Sequence, residues 1–121
     1  MLAIAEVLRK YPNVGIMCDD IYEKVIFENQ DFYTMAQVAP DLSHRILTVN
    51  GVSKAYSMTG WRIGYAGGDQ ELINSMIKLQ GQSTTNASSI GQIAALAALS
   101  GSQHFLKDWS VLYEQRRDLI S

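Results

Sequence analysis

Apolar residues Leu2, Ile4, Ala5, Val7 and Leu8 recur at helical spacing, and Tyr11, Pro12 and Asn13 follow with turn-forming chemistry, so the pattern predicts a first helix that stops there. Next comes an unbroken apolar run, Val14, Gly15, Ile16, Met17 and Cys18, ending at Asp19 and Asp20. Such a run reads as a strand buried on both faces whose carboxyl end opens onto a polar rim. Residues 21–30 mix apolar and charged positions, with Val25, Ile26 and Phe27 as a short candidate strand, and residues 31–43 read as loop with a turn of helix. A second apolar, β-branched run covers residues 45–49 and stops at Asn50-Gly51. A third covers residues 62–66 and closes at Gly67-Gly68. Asp69 then has the chemistry of an N-cap for a helix carrying Leu72, Ile73, Met76, Ile77 and Leu79.

Residues 81–89 are small and polar, a loop, whereas the alanine-rich residues 90–99 predict a helix with apolar positions on most faces, hence a buried one. Beyond Gly101-Ser102, Phe105, Trp109, Leu112, Arg116 and Leu119 recur every three to four residues. They predict an amphipathic helix that runs to Ser121 with neither a glycine cap nor a breaker. Helices alternating with strands indicate an α/β domain built on a mostly parallel sheet, in which polar residues at strand ends are where ligands bind.

Composition narrows the function. The 121 residues suffice for about one domain, and 47% hydrophobic content supports a core. Ten basic against twelve acidic residues leave a formal charge of −2, so no general field draws the chain to nucleic acid or an anionic membrane. The first apolar stretch is broken at Glu6 and Arg9, too short and too charged for a signal peptide or a membrane span. One cysteine cannot form an internal disulfide, and Cys18 with His44 and His104 does not make a metal-ligand set, so a reducing, cytoplasmic setting and no metal are expected. Cys18 reads as a buried strand residue and the methionines as core filler. The histidines read as surface or loop residues, and Arg116-Arg117 as a solvated helix face.

Lys54 lies just past a strand end between Val52-Ser53 and Ala55. Partly desolvated there, its amine would lose its proton more readily and attack a carbonyl; a solvated loop lysine is the alternative. Arg62 sits among Trp61, Ile63 and Gly64, where forked donors suit a fixed anion such as phosphate, or else a structural salt bridge to one of the aspartates. Asp19, Asp20 and Tyr22 put a carboxylate and a phenol on the same rim as the lysine, or make a charged turn with a packing tyrosine.

Together these residues resemble one known arrangement. The stretch GVSKAYSMTGWRIG, residues 51–64, resembles the pyridoxal-phosphate attachment signature of class I aminotransferases. That signature has glycine or serine three before the lysine, small residues beside it, glycine six after, arginine eight after and a small residue ten after. DDIYE looks like the family's Asp-x-x-Tyr segment. QSTTNASSIGQIAALAAL is similar to the segment that follows the lysine in the bacterial aspartate and aromatic aminotransferase branch. The resemblance runs essentially the whole length of the chain.

It implies that residues 1–121 are the C-terminal half of the cofactor-binding large domain of a fold type I enzyme, with a mixed, mostly parallel sheet flanked by helices. The N-terminal part and the small domain would be absent. It implies pyridoxal 5'-phosphate as cofactor, Lys54 as the Schiff-base and proton-moving residue, Asp19 beside the pyridine nitrogen, Tyr22 donating to the ring oxygen, and Arg62 holding the phosphate. Gly51 stands where other branches have a phosphate-binding serine, which leaves Ser53 as the substitute, and Asp20 stands where glutamate is more usual. The implied reaction is transamination between an amino acid, aspartate or a related one, and a 2-oxo acid, in amino acid metabolism. Relatives are homodimers with shared active sites, and Ser83 to Asn86 lie in the region that approaches the neighbouring subunit's cofactor. Two other readings accompany this one: a non-catalytic truncated fragment that only folds or self-associates, and a related lyase or decarboxylase using the same cofactor.

Overall fold

The computed structural model describes residues 1–28 and 30–120; Asn29, inside the mixed 21–30 stretch, and Ser121, where the last helical pattern ends, lie outside the described residues. Among the described residues the α-helices are α1 (Leu2–Arg9), α2 (Met35–Val38), α3 (Gln70–Gly81), α4 (Ser89–Ser100) and α5 (His104–Asp118). Three strands, β1 (Ile16–Asp19), β2 (Ile46–Gly51) and β3 (Gly64–Gly68), form a sheet in that order, with β1 parallel to β2 and Ile16 opposite Ile46. The chain divides into two compact units, one of Met1–Asp20, Tyr33–Asn50 and Tyr65–Asn86, the other of Ile21–Phe32, Gly51–Gly64 and Ala87–Ser121.

In the first unit Ala5, Met35, Ala39, Leu42 and Ile46 form the core, with Leu8, Ile16 and Cys18 packed against it. β1 alternates, Ile16 and Cys18 half-buried, Met17 and Asp19 exposed. The expectation of a strand buried on both faces is therefore corrected: Met17 is 73% exposed, since an apolar run fixes strand character but not how many faces are covered. It is also not core filler, unlike Met35. Cys18 is half-buried, and that burial, with Asp20 nearby, pushes its thiol pKa up.

The end of α1 is fastened by Arg45. Its Nη1 donates to the carbonyls of Tyr11 at 2.9 Å and Val14 at 2.7 Å, and its Nη2 to that of Leu8 at 2.7 Å. The guanidinium thus adds charge-assisted donors at the helix end and the following turn, where the Leu8 and Tyr11 carbonyls also accept from the Tyr11 and Val14 amides. The predicted helical turn in residues 31–43 is α2, started by a Thr34–Gln37 capping box, followed by a 3-10 turn at Pro40–Arg45. Asp69 caps α3 as its chemistry predicts, accepting from the amides of Glu71 at 2.9 Å and Leu72 at 3.3 Å.

The second unit is built on Val52, Ile63 and Ala95, with Tyr56, Met58 and Ala87 against them. Residues 25–27 are not a strand; Val25 instead closes a turn by donating to the Tyr22 carbonyl at 2.8 Å. α4 is not the buried helix that its composition implies. Gly91 and Ala95 are buried, but Ile90, Ile93 and Leu96 are 71%, 69% and 63% exposed. An all-round apolar helix needs partners on every side, and periodicity does not say whether they are present.

On α5, Arg117 is no freely solvated residue. It lies over the Phe27 ring, 4.8 Å from its centroid, and reaches Asp118 at 2.7 Å, Glu28 at 3.3 Å and Glu114 at 3.5 Å. His44 and His104 are exposed, as the sequence suggests.

Candidate active site

Each candidate side chain takes its setting from the elements just described. In the first unit Asp19 ends β1 with an exposed side chain, while its neighbour Asp20 is buried and donates its backbone amide to the Val49 carbonyl at 2.8 Å. The pleat thus gives the two adjacent carboxyls opposite environments.

In the second unit the chain leaves β2 through Gly51 and makes a single turn at residues 53–56. The Tyr56 amide donates to the Val52 carbonyl at 3.3 Å and the Ser57 amide to the Lys54 carbonyl at 3.2 Å. Val52 and Ala55 are buried and Tyr56 half-buried, whereas Ser53 is partly exposed and Lys54 exposed. Turn geometry accordingly points the lysine outward while its neighbours hold the backbone. The Lys54 Nζ lies 5.8 Å from the centroid of the Tyr22 ring, so the structure brings these two predicted residues together. The desolvated lysine envisaged from sequence is corrected: small neighbours leave Lys54 open to solvent instead of enclosing it.

Arg62 follows the 3-10 turn Thr59–Trp61 with a left-handed backbone, φ 55° and ψ 46°. Its Nη1 donates to the Thr59 carbonyl at 2.8 Å and its side chain is exposed. Among the described residues no carboxylate lies within ion-pair reach of it, so the structural salt bridge to an aspartate is not formed. The twist also corrects the third strand, which begins two residues later than predicted and includes Gly67 and Gly68. A left-handed arginine is costly, and such strain gathers at ligand-binding positions.

Two residues that sequence reasoning passed over hold the lysine turn. The Tyr56 hydroxyl donates to Gln103 Oε1 at 2.7 Å, and Phe105 packs edge-on against the Tyr56 ring with centroids 6.2 Å apart. Burial, with Glu23 nearby, pushes the Tyr56 pKa up. An aromatic two residues after the lysine is visible in the sequence, but nothing there pairs it with Gln103.

Of the predicted residues the structure brings Lys54 and Tyr22 side by side, with Ser53 next to Lys54 along the chain, whereas Arg62, in the same unit, is turned to the Thr59 carbonyl. Among the described residues no group of His, Cys, Asp or Glu is arranged to hold a metal, and no helix is long and apolar enough to cross a membrane.

The family model for aminotransferase class I and II matches residues 1–121. The chain belongs to that family. Within this aminotransferase family it is 59% identical over 116 residues to a probable aspartate/prephenate aminotransferase of Rickettsia typhi, an alignment covering 96% of this chain and 29% of the relative. It is 55% identical over 120 residues to the aspartate/prephenate aminotransferase of Cereibacter sphaeroides, covering 99% and 30%. The crystal structure of the aspartate aminotransferase from Rhizobium meliloti superposes with a TM-score of 0.96 at 49% identity, over 99% of this chain and 31% of that one. The chain therefore spans about three-tenths of the length of the relatives it matches. These likenesses put it in the aspartate and aromatic branch, with the small helix-flanked sheet of fold type I aminotransferases. Aminotransferases of this family use pyridoxal 5'-phosphate.

Proposed function

We propose that residues 1–121 are the C-terminal half of the cofactor-binding large domain of an aminotransferase that moves an amino group between an amino acid, aspartate or a related one, and a 2-oxo acid. The observation that carries this reading is the outward amine of Lys54, on a turn with buried flanks and 5.8 Å from the Tyr22 ring centroid. Pyridoxal phosphate, when bound, supplies a conjugated electron sink for the charge left on a substrate α-carbon.

The chain's own residues do the rest. Lys54 would be the covalent anchor for the cofactor's aldehyde through its side-chain amine. Lys54 Nζ would also be the group that takes the proton from the substrate α-carbon as general base and returns one as general acid. By the family resemblance, Asp19 would supply the carboxylate for the pyridine nitrogen. Arg62 holds the phosphate through its forked donors, with the Ser53 hydroxyl as a further donor, and Tyr22 donates its hydroxyl to the ring oxygen. Substrates are an amino acid and a 2-oxo acid. The full-length assembly is a cytoplasmic homodimer, in keeping with the unpaired Cys18 and with the oligomers usual in this family.

Adding pyridoxal phosphate to the chain tests this. A visible absorbance band that Lys54→Ala abolishes, and that changes on adding aspartate or glutamate, is the expected result. No band with wild type, or one that survives Lys54→Ala, rules out a functional cofactor site in these 121 residues on their own. Carbon dioxide released in place of a 2-oxo acid would redirect the reading to a decarboxylase.

A second reading, folding and self-association without catalysis, is favoured by the exposed Ile90, Ile93 and Leu96 of α4. Light scattering decides it, since a monodisperse monomer counts against association.

A further inference from the structure

The side-chain amide of Gln103 is fully committed. Its Nε2 donates to the Ala98 carbonyl at 2.9 Å and the Gly101 carbonyl at 2.8 Å, both at the end of α4, which leaves Oε1 as the atom facing the Tyr56 hydroxyl at 2.7 Å. A flipped amide would set its oxygen against two carbonyls, so the acceptor is fixed toward Tyr56. The bond spans 47 residues of sequence and ties the α4–α5 corner to the turn bearing Lys54. That corner is itself rigid, because Phe105 packs on Tyr56 and Trp109 packs on Phe105 with ring centroids 4.8 Å apart.

The lysine turn has need of such a tie. Its backbone bonds are long, at 3.3 and 3.2 Å, and it leaves through Ser57 with a left-handed φ of 51°. Untied, it has other conformations available, and an amine presented correctly for only a fraction of the time reacts more slowly by that fraction. We propose that Tyr56 and Gln103 are positioning residues for Lys54: the hydroxyl-to-amide bond holds the turn in the one conformation that presents the amine. This rests on the proposed cofactor attachment at Lys54, but the state of the turn is measurable without the cofactor.

The test compares wild type with Tyr56→Phe, which removes only the hydroxyl, and Gln103→Leu, which removes the acceptor, by two readouts. The first is hydrogen exchange at the Tyr56 and Ser57 amides of the free protein, with the α5 amides as reference. The second is the rate at which the absorbance band grows on adding pyridoxal phosphate. One lost hydrogen bond shifts the opening equilibrium of the turn about fivefold, so the quickening of exchange at the two turn amides and the slowing of band growth should multiply to about five, with little change in α5. Unchanged turn exchange in Tyr56→Phe overturns the proposal. So does exchange that quickens equally in the turn and α5, because the bond would then serve the fold in general. If wild type takes up no cofactor, the attachment reading fails, and the exchange data alone decide whether the bond holds the turn.

Discussion

Gly51 runs so close to Ile63 that a β-carbon added to it would stand 2.8 Å from the Ile63 carbonyl oxygen. Ile21 Cδ1 at 3.1 Å and the Gly64 α-carbon at 3.2 Å close the other sides. Glycine at this point, three residues before the lysine, is thus a packing requirement of the backbone that feeds the lysine turn.

Gly51→Ser, which would install the hydroxyl that other branches carry here, is therefore expected to cost about 1–3 kcal/mol through backbone displacement. Chemical denaturation of Gly51→Ala and Gly51→Ser should give similar losses, because the β-carbon and not the hydroxyl is at fault. A Gly51→Ser protein as stable as wild type would contradict the close approach.

Arg62 separates stability from binding. Its left-handed backbone costs an arginine roughly 1 kcal/mol that glycine does not pay, offset in part by the greater freedom of glycine in the unfolded chain. Arg62→Gly should therefore melt no lower than wild type while weakening uptake of pyridoxal phosphate at least tenfold, read by absorbance titration. Equal uptake by the two proteins would remove the guanidinium from the phosphate site.

The Arg9–Asp41 pair gives a pH signature. Nε and Nη2 of Arg9 each donate to one Asp41 carboxylate oxygen at 2.9 Å, which lowers the Asp41 pKa. A depressed carboxyl pKa contributes stability above its unfolded value, about 3.9, and loses it as pH falls through the folded value. The Asp41 carboxyl resonance should titrate below the ordinary aspartate range and move back up in Arg9→Leu. Both exposed side chains make this a local effect, so melting at neutral pH should change little.

Arg45 matters more to the fold. Removing three charge-assisted bonds to the carbonyls of Leu8, Tyr11 and Val14 should cost about 2 kcal/mol in Arg45→Met by thermal or chemical melting. Lysine should restore little, since one ammonium cannot reach three carbonyls as the planar fork does.

Much of this was legible from residues alone. Asp69 caps α3 because its carboxylate, one residue before the helix, can accept from the open first-turn amides. β1 and β2 follow from β-branched and apolar runs ending at turn-forming residues, and the motif around Lys54 pointed to the family that the comparisons show. What stayed hidden depends on distant partners. Val25, Ile26 and Phe27 are too few to distinguish a strand from a turn, and α4 exposes Ile90 and Ile93 because burial is decided by what packs there. The left-handed twist at Arg62 contradicts the residue's own preference, and the bond between Tyr56 and Gln103 joins positions that no local pattern links.

The acidic doublet at the end of β1 is best understood as a matter of strand register. One carboxyl is on the surface at the last residue of β1, and the next, just past the strand, is enclosed, in step with the alternation of the pleat. A single codon inserted or deleted between Ile16 and Asp19 would leave both acids in the gene yet exchange their places, sending the surface carboxyl inward and the enclosed one out. Two identical letters side by side are therefore no spare copy of each other.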